Sequence, residues 1–202
     1  MHASDPAAVI RGSTALTDAP AGSGAAAHRA AGADRLKRLV VSPDLVEEMH
    51  AHARSAYPEE CCGFLYASAD ATERDGTRRV IGLRRAPNRA PGRRSGRFAI
   101  SSEDLFRADG AATRTGRVVC GFYHSHPDRP ARPSRADQEH AWPWYAYVIL
   151  ESGGSSRRIG AFQLDPPRCE LRRVRWSVDP AGGSTAIPPS VKDCGHGGIG
   201  RW

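Results

Sequence analysis

The sequence contains no long apolar run, although 40% of its 202 residues are hydrophobic. A membrane-spanning helix needs about 20 consecutive apolar residues, and no segment approaches that length. The N-terminus also lacks a basic segment that leads into an apolar one, which is the pattern of an export signal. We therefore expect a soluble, cytoplasmic protein, whose length suits one domain with a sizeable core.

The sequence also lacks the CxxC spacing that is typical of thiol redox motifs and of many zinc sites. The cysteines form an odd set of five, several of them in apolar, strand-like runs: Cys61, Cys62, Cys120, Cys169 and Cys194. The adjacent pair is open to interpretation as metal ligands or as a redox pair, but alternation along a strand would point the two side chains to opposite faces. We predict reduced, mostly buried thiols that pack as small hydrophobic residues.

Lysine is almost absent, since nearly all basic residues are arginine and only Lys37 and Lys192 are lysines. The formal net charge of +7 suggests nucleic-acid binding as a hypothesis, because basic patches attract phosphates. However, the arginines cluster only at 84–94 and 172–175, and no aromatic residues alternate with them as platforms for base stacking. We expect no nucleic-acid partner, and we interpret the clusters as solvated positions or as a site for an acidic protein.

Both ends of the sequence differ in composition from the middle. Residues 1–35 are rich in alanine, glycine, serine and proline without a sustained apolar period, so burial cannot offset the entropy cost of ordering them. Residues 177–202 mix proline and glycine with isolated apolar residues. We predict a disordered tail over 1–35, one folded domain over 36–176 and a loosely ordered tail over 177–202.

Helix and strand signals alternate between the two tails. Helix starts are indicated at Ser42, at Ser101-Ser102 and at Ser134. The first helix is predicted to end before Tyr57 and the third at Trp142, and Gly110 weakens the signal for the second. Seven further runs have strand character: residues 62–67, 79–85, 97–100, 118–124, 145–150, 157–164 and 169–176. This order predicts an α/β domain with a mixed β-sheet flanked by helices.

The most informative stretch is Gly121-Phe-Tyr-His124-Ser-His126-Pro127, at the end of a predicted strand. Because side chains alternate along a strand, His124 and His126 point to the same side, and we expect both in an exposed loop at the strand end. The proline-rich link 127–133 is long enough to bring Asp137 back over the two imidazoles. Two histidines and one carboxylate leave a position open for water, as a catalytic zinc requires, and zinc would lower the pKa of that water to roughly 7.

Ser134 and Asp137 also form a capping-box pattern, which taken alone predicts a helix start and nothing more. A serine hydroxyl near a metal would additionally help to stabilise the oxyanion of a tetrahedral intermediate. We predict that this segment both caps the helix and contributes to a zinc site. A site of two histidines and an aspartate would also accept other divalent ions at some affinity.

A hydrolytic zinc site further needs a general base that is not itself a ligand. The sequence offers two neighbouring acids, Glu59 and Glu60, immediately before a predicted strand. By residue type alone, both are expected to be solvated surface carboxylates.

Several motifs taken together resemble the JAMM (MPN-plus) zinc metallopeptidase family, in particular its short bacterial and archaeal members. The resemblance covers residues from about 38 to 175 and includes Tyr57-Pro58, Glu60-Cys-Cys62-Gly63, His124-Ser-His126-Pro127, Ser134 and Asp137.

The resemblance implies a JAB1/MPN-like (cytidine-deaminase-like) fold with one zinc ion per chain, held by His124, His126, Asp137 and a water molecule. It implies that Glu60, and not Glu59, is the general base that deprotonates this water and passes the proton to the leaving amine. Ser134 would assist the oxyanion.

The resemblance also implies a substrate class. Eukaryotic members cleave isopeptide bonds of ubiquitin-like proteins, whereas short bacterial members resemble peptidases that act after the C-terminal Gly-Gly of sulfur-carrier proteins and release an amino acid or a fused partner. A narrow channel favours Gly-Gly, because only a chain without side chains lies close to the metal. We expect a ubiquitin-like or sulfur-carrier protein as partner, contacted by the arginine-rich loop 84–97; homodimerisation stays open.

Three alternatives remain. A non-catalytic MPN scaffold would have lost site residues, and all five are present here. The DNA-associated RadC branch shares the His-x-His-Pro and Ser-x-x-Asp segments, but it lacks the Glu-x-Cys-Gly element and usually carries a helix-hairpin-helix segment that this sequence does not show. A phage tail-assembly peptidase would normally be fused to a cell-wall hydrolase domain.

Overall fold

The computed structural model describes residues 35–70 and 74–180. The strands in these ranges are β1 (Arg38–Val41), β2 (Cys62–Ser68), β3 (Thr77–Arg79), β4 (Gly82–Ala86), β5 (Arg117–Pro127), β6 (Ala146–Ser152), β7 (Ile159–Asp165) and β8 (Glu170–Val178). The helices are α1 (Pro43–Ala56), α2 (Ser102–Thr113) and α3 (Arg135–Glu139). The predicted tails, apart from Arg35 and residues 177–180, lie outside the described residues, as does Cys194.

The strands form one sheet in the order β3-β1-β8-β7-β6-β5-β2-β4. β1 runs parallel to β3 and to β8, and β5 runs parallel to β6, whereas the other four neighbouring pairs are antiparallel. The prediction of an α/β domain with a mixed sheet is therefore confirmed. Parallel neighbours need a crossover connection, and the one between β5 and β6 carries α3 across the C-terminal end of β5.

The two longer helices cover opposite faces of the sheet. On one face, α1 buries an apolar stripe of Leu45, Met49 and Ala53. On the other face, α2 buries Leu105, Ala108 and Ala112 at the same helical spacing. Neither these helices nor α3 has the length and apolar character of a membrane span, within the described ranges.

The cysteine predictions hold for the described cysteines. Cys61 and Cys62 lie in the core layers on opposite faces of the sheet, as strand alternation predicts. Cys61, Cys62 and Cys120 are buried, Cys169 is exposed, and all four are free thiols. Burial raises the pKa of Cys61 to about 11, so this thiol stays protonated near neutral pH and is a poor metal ligand or nucleophile.

Several predicted boundaries were wrong. The run 79–85 contains parts of two strands, because the chain leaves β3 beside β1 at one edge and enters β4 beside β2 at the other. The run 97–100 is irregular and is bonded to Asn88 through the amide of Ala99. β1 was not predicted at all, since four residues give too little alternation to detect.

The third helix is also shorter than predicted. It ends at Glu139 rather than at Trp142. Pro143 explains the difference, because a proline ring clashes with the carbonyl four residues earlier, which belongs to Glu139. The Trp142 amide instead donates to the hydroxyl of Tyr147, at 2.6 Å.

Candidate metal centre and active site

His124 and His126 are two residues apart on β5 and point to the same face of the sheet, where α2 packs. Their Nε2 atoms are 3.1 Å apart, and the residues are only 2% and 3% exposed. The expectation of an exposed loop was wrong, because β5 continues to Pro127 and pairs with β6 as far as Ser152. The sheet therefore holds both rings inside regular structure.

Asp137 completes a three-donor group with the two histidines. Its Oδ1 lies 3.3 Å from the Nε2 of His124, and its Oδ2 lies 3.5 Å from the Nε2 of His126. The three donor atoms all lie within 4.8 Å of one another. Although burial favours the neutral carboxyl, the imidazoles and Ser134 hold the pKa of Asp137 well below its usual range.

The first turn of α3 orients the Asp137 carboxylate through the capping box. The Ser134 hydroxyl oxygen accepts from the Asp137 amide at 3.2 Å, and the Ser134 amide donates to Asp137 Oδ2 at 2.6 Å. The predicted cap is therefore present. The same carboxylate that closes the cap faces the two imidazoles.

These spacings and protonation states suit a divalent metal. Donors that coordinate zinc tetrahedrally at about 2.0–2.1 Å lie about 3.3 Å from one another, close to the observed separations. The Nδ1 of His126 lies 2.9 Å from the carbonyl oxygen of Pro130, which only accepts, so Nδ1 carries the hydrogen. In the neutral ring, Nε2 of His126 then presents a lone pair towards Asp137 and His124.

Glu60 lines a cavity together with His124 and Asp137 and is only 3% exposed. Its carbonyl accepts from the Asn88 side chain at 2.9 Å, and its amide donates to the Arg94 carbonyl at 2.9 Å. The Arg129 guanidinium contacts its carboxylate oxygen Oε1. Burial raises the pKa of Glu60, although His124, His126 and Arg129 oppose the shift.

Glu59 has a different environment. Its side chain is 52% exposed and lies 3.7 Å from the guanidinium of Arg94. The expectation from residue type holds for Glu59 and was wrong for Glu60, which the resemblance had already distinguished as the base. The backbone of Glu60, just before β2, is bonded to Asn88 and Arg94 of the segment 87–100.

The cavity has a volume of about 390 Å³ and combines the polar group with an apolar wall. Ser134 lines it beside Glu60, His124 and Asp137. The wall consists of aromatic and aliphatic side chains: Phe98, Ile100, Phe122, Trp142 and Tyr147. Such a setting keeps water from the polar groups and strengthens their electrostatic interactions.

Sequence reasoning missed three residues that build this site: Asn88, Phe98 and Arg129. The Asn88 side chain bonds four backbone groups, donating to the carbonyls of Glu60 and Arg97 and accepting from two amides. The ring of Phe98 stacks on His124, with centroids 4.4 Å apart. An asparagine directly after Pro87 was a visible signal of a structured turn, whereas nothing local indicated the other two.

A mixed sheet flanked by helices, with a His-His-Asp group at the end of β5, is the arrangement of a JAB1/MPN domain. The family model described as prokaryotic homologs of the JAB domain matches residues 42–163. The chain belongs to this prokaryotic branch of the JAMM/MPN family.

Two relatives illustrate the similarity in sequence. The chain is 30% identical over 122 residues to a desampylase of Haloferax volcanii, covering 58% of this chain and 83% of that one. It is 31% identical over 137 residues to a CysO-cysteine peptidase of Mycobacterium bovis, covering 68% of this chain and 82% of that one.

A solved structure agrees in fold. A Desulfitobacterium hafniense protein, determined in solution, matches with a TM-score of 0.60 and 26% identity, covering 70% of this chain and 92% of the other.

Proposed function

We propose that the protein is a cytoplasmic, zinc-dependent peptidase that hydrolyses the peptide or isopeptide bond after the C-terminal Gly-Gly of a ubiquitin-like or sulfur-carrier protein. The observation that carries the proposal is that one cavity is lined both by the buried Glu60 and by His124 and Asp137, two members of the three-donor group that His126 completes. A hydrolase needs this combination of a metal site and a separate general base.

The metal would be held by the three-donor group, and zinc supplies there a Lewis acid that polarises the scissile carbonyl and makes water more acidic. Glu60 accepts a proton from the attacking water and delivers it to the leaving nitrogen. Burial raises the pKa of Glu60 above its ordinary value, which suits a group that must both accept and donate a proton. The scissile C–N bond breaks, the water oxygen joins the glycine carboxylate, and the nitrogen leaves as an amine.

Ser134 fits a second task in the cavity. Its hydroxyl oxygen accepts from the Asp137 amide, which leaves the O–H hydrogen free to donate. A donor of this kind stabilises the negative charge that develops on the carbonyl oxygen during the reaction.

The substrate class in this proposal is supported by the relatives. One similar protein is named a desampylase and another a CysO-cysteine peptidase. At about 30% identity, the relatives support the reaction type more strongly than the identity of the carrier.

Intact-mass analysis tests the proposal. Zinc-loaded protein is incubated with a sulfur-carrier protein that is extended past its Gly-Gly by one cysteine or by a short peptide. Wild type should remove the extension, and a chelator should block the reaction. The Glu60→Gln variant should keep its zinc but turn over roughly 100- to 10,000-fold more slowly.

Glu59→Gln is the matched control, since it removes the neighbouring, exposed carboxylate. This variant should cleave at a rate near that of wild type. No cleavage by wild type with one zinc bound per chain would refute the peptidase assignment for this substrate class and would favour a scaffold role. Equal losses in the two glutamate variants would refute the assignment of the base.

A further inference from the structure

A second groove, of about 400 Å³, lies next to the metal-site cavity. The two share Gly96 and Arg97 in their linings, so they adjoin. Three arginines line the second groove, two from the loop after β4 and one from the loop after β5: Arg93, Arg97 and Arg129. This concentration of guanidinium groups beside the reaction site is not explained by the metal chemistry.

The charge of the groove is poorly compensated. Within the described part of the chain, the exposed side chains of Arg93 and Arg97 have no acidic partner at ion-pair distance. One carboxylate, Asp128, also lines the groove, and it accepts a hydrogen bond from the Tyr57 hydroxyl at 3.0 Å. Three guanidinium groups face two engaged carboxylates, Asp128 in the groove and Glu60 at Arg129, so the excess positive charge favours binding of a negatively charged group.

Arg129 joins the two cavities. Its side chain is 39% exposed and lines the second groove, while its Nη2 contacts the Glu60 carboxylate, which lines the metal-site cavity. A guanidinium has five N–H donors, and one contact with Glu60 leaves others for a second acceptor. Planar fork geometry suits a carboxylate as that acceptor.

The position of Arg129 relates to the leaving group. If Glu60 delivers a proton to the leaving nitrogen, that nitrogen comes within about 3 Å of the Glu60 carboxylate. In an α-linked residue, the free carboxylate is attached to the carbon next to this nitrogen, so its oxygens lie within about 4 Å of the nitrogen. They therefore fall beside a guanidinium that already contacts Glu60. The α-carboxyl of a lysine joined through its side chain would lie several carbon atoms further away.

We propose that Arg129, with Arg93 and Arg97, binds the free α-carboxylate of a single amino acid joined to the carrier's terminal glycine. This selects release of one C-terminal residue over cleavage within a longer chain or of a lysine isopeptide. The inference rests on the proposed peptidase function and names its leaving group. Hydrolysis consumes one water and yields the carrier with a glycine carboxylate and a free amino acid.

Three substrates that differ only beyond the Gly-Gly test the inference: a sulfur-carrier protein ending in one alanine with a free carboxylate, the same protein ending in alaninamide, and one ending in Ala-Ala-Ala. Wild type should cleave the free acid with a kcat/KM roughly 10- to 100-fold above that of the amide, because a charged hydrogen-bonded pair is lost in the amide. The substrate that ends in Ala-Ala-Ala should be cleaved with a kcat/KM similar to that of the amide.

Arg129→Ala should bring the ratio of acid to amide close to one. The ratio is the informative quantity, because any disturbance of Glu60 slows both substrates alike. Arg129→Lys should restore part of the ratio, and Arg93→Ala with Arg97→Ala should reduce it while leaving the Glu60 contact in place. Arg132→Ala is the matched control, since this exposed arginine of the same loop lines neither cavity.

The outcomes separate the two proposals. If wild type cleaves acid and amide equally, or if the arginine variants keep the full ratio, the carboxylate site is refuted and the peptidase function stands. If wild type cleaves none of the three substrates with zinc bound, the peptidase function is refuted and the leaving-group selectivity falls with it.

Discussion

The ring of Phe98 is stacked on the imidazole of His124, with centroids 4.4 Å apart and planes inclined by 27°. Phe98 belongs to the irregular segment before α2, whereas His124 lies near the C-terminal end of β5, an interior strand of the sheet. This contact covers the imidazole on the cavity side and joins the segment that carries the arginines to the metal centre. It restricts the rotation of the ring whose Nε2 faces Asp137.

Removing the Phe98 ring should therefore weaken metal binding. In Phe98→Ala the imidazole of His124 gains freedom, and we expect zinc affinity to fall roughly tenfold, as for other residues that orient metal ligands. The measurement is competition with a chromophoric chelator. Phe106→Ala is the control, because Phe106 is 74% exposed and should leave affinity unchanged. Equal affinities in both variants would mean that stacking does not orient His124.

The three-donor group should determine metal content. Wild type, dialysed after loading, should retain one zinc per chain, whereas His126→Ala and Asp137→Ala should retain almost none, because two remaining donors hold zinc weakly. Elemental analysis measures this directly. His140→Gln is the control, since His140 lines the same cavity outside the group. Loss of zinc from this control would show that the ligand set is larger than proposed.

Gly63 is required where β4 and β5 approach β2. A Cβ at this position would lie 2.4 Å from the Tyr123 ring and 2.5 Å from the Arg84 carbonyl oxygen. Because that carbonyl is backbone in a neighbouring strand, it cannot move aside easily, and Gly63→Ala should lower the free energy of unfolding by about 1–3 kcal/mol. Urea denaturation measures the change.

Gly110→Ala provides the contrast for this prediction. Its Cβ would meet only the Arg114 side chain, at 3.7 Å, and alanine favours the helix, so stability should rise by about 0.5–1 kcal/mol. A Gly63→Ala variant as stable as wild type would contradict the packing argument.

Stability should fall on mild acidification because of His52. Burial, assisted by Arg85, lowers the pKa of His52 to about 4, and its Nδ1 lies 2.9 Å from the Tyr123 hydroxyl. The unfolded chain binds a proton at this residue below about pH 6.5, whereas the folded chain does so only near pH 4. The neutral His52 ring therefore makes its full contribution to the free energy of unfolding above pH 6.5, and this contribution decreases as the pH falls towards 4.

The variant that tests this is His52→Gln, which keeps a polar partner for Tyr123 but does not titrate. Between pH 6.5 and 4.5, wild type should lose about 1 kcal/mol more than the variant, allowing for partial solvent exposure. Burial also lowers the pKa of His50, so the stability of the variant should still depend on pH to some extent. Parallel stability curves for the two proteins would refute the role of His52.

Local signals predicted the helix starts and the group of His124, His126 and Asp137 that could hold a metal. Ser42 and Ser134 accept from backbone amides as their positions suggest. The alternation of β5 correctly predicted that His124 and His126 point to the same face, and the link to α3 is long enough to return Asp137 to them. These features depend on residues no more than 13 positions apart in the sequence, so the order of residue types is sufficient to predict them.

The resemblance, not residue type, distinguished Glu60 from Glu59, since both are acids before one strand. The structure buries Glu60 and exposes Glu59. The cause is the segment 87–100, which packs against Glu60 and in which the Asn88 side chain donates a hydrogen bond to the Glu60 carbonyl. The same segment was predicted in part as a strand, because short apolar runs do not reveal whether a sheet partner is available.

By itself, the sequence determined the three donor types, their spacing along β5 and α3, and the capped turn that holds Asp137, because strand alternation and helix capping act over short distances. Only the tertiary structure decided that Glu60 would be buried, that Phe98 would cover His124 and that Arg129 would contact Glu60 beside two further arginines. These contacts join residues about 26 to 69 positions apart in the chain, and their geometry follows from sheet order and loop packing, which no local pattern encodes.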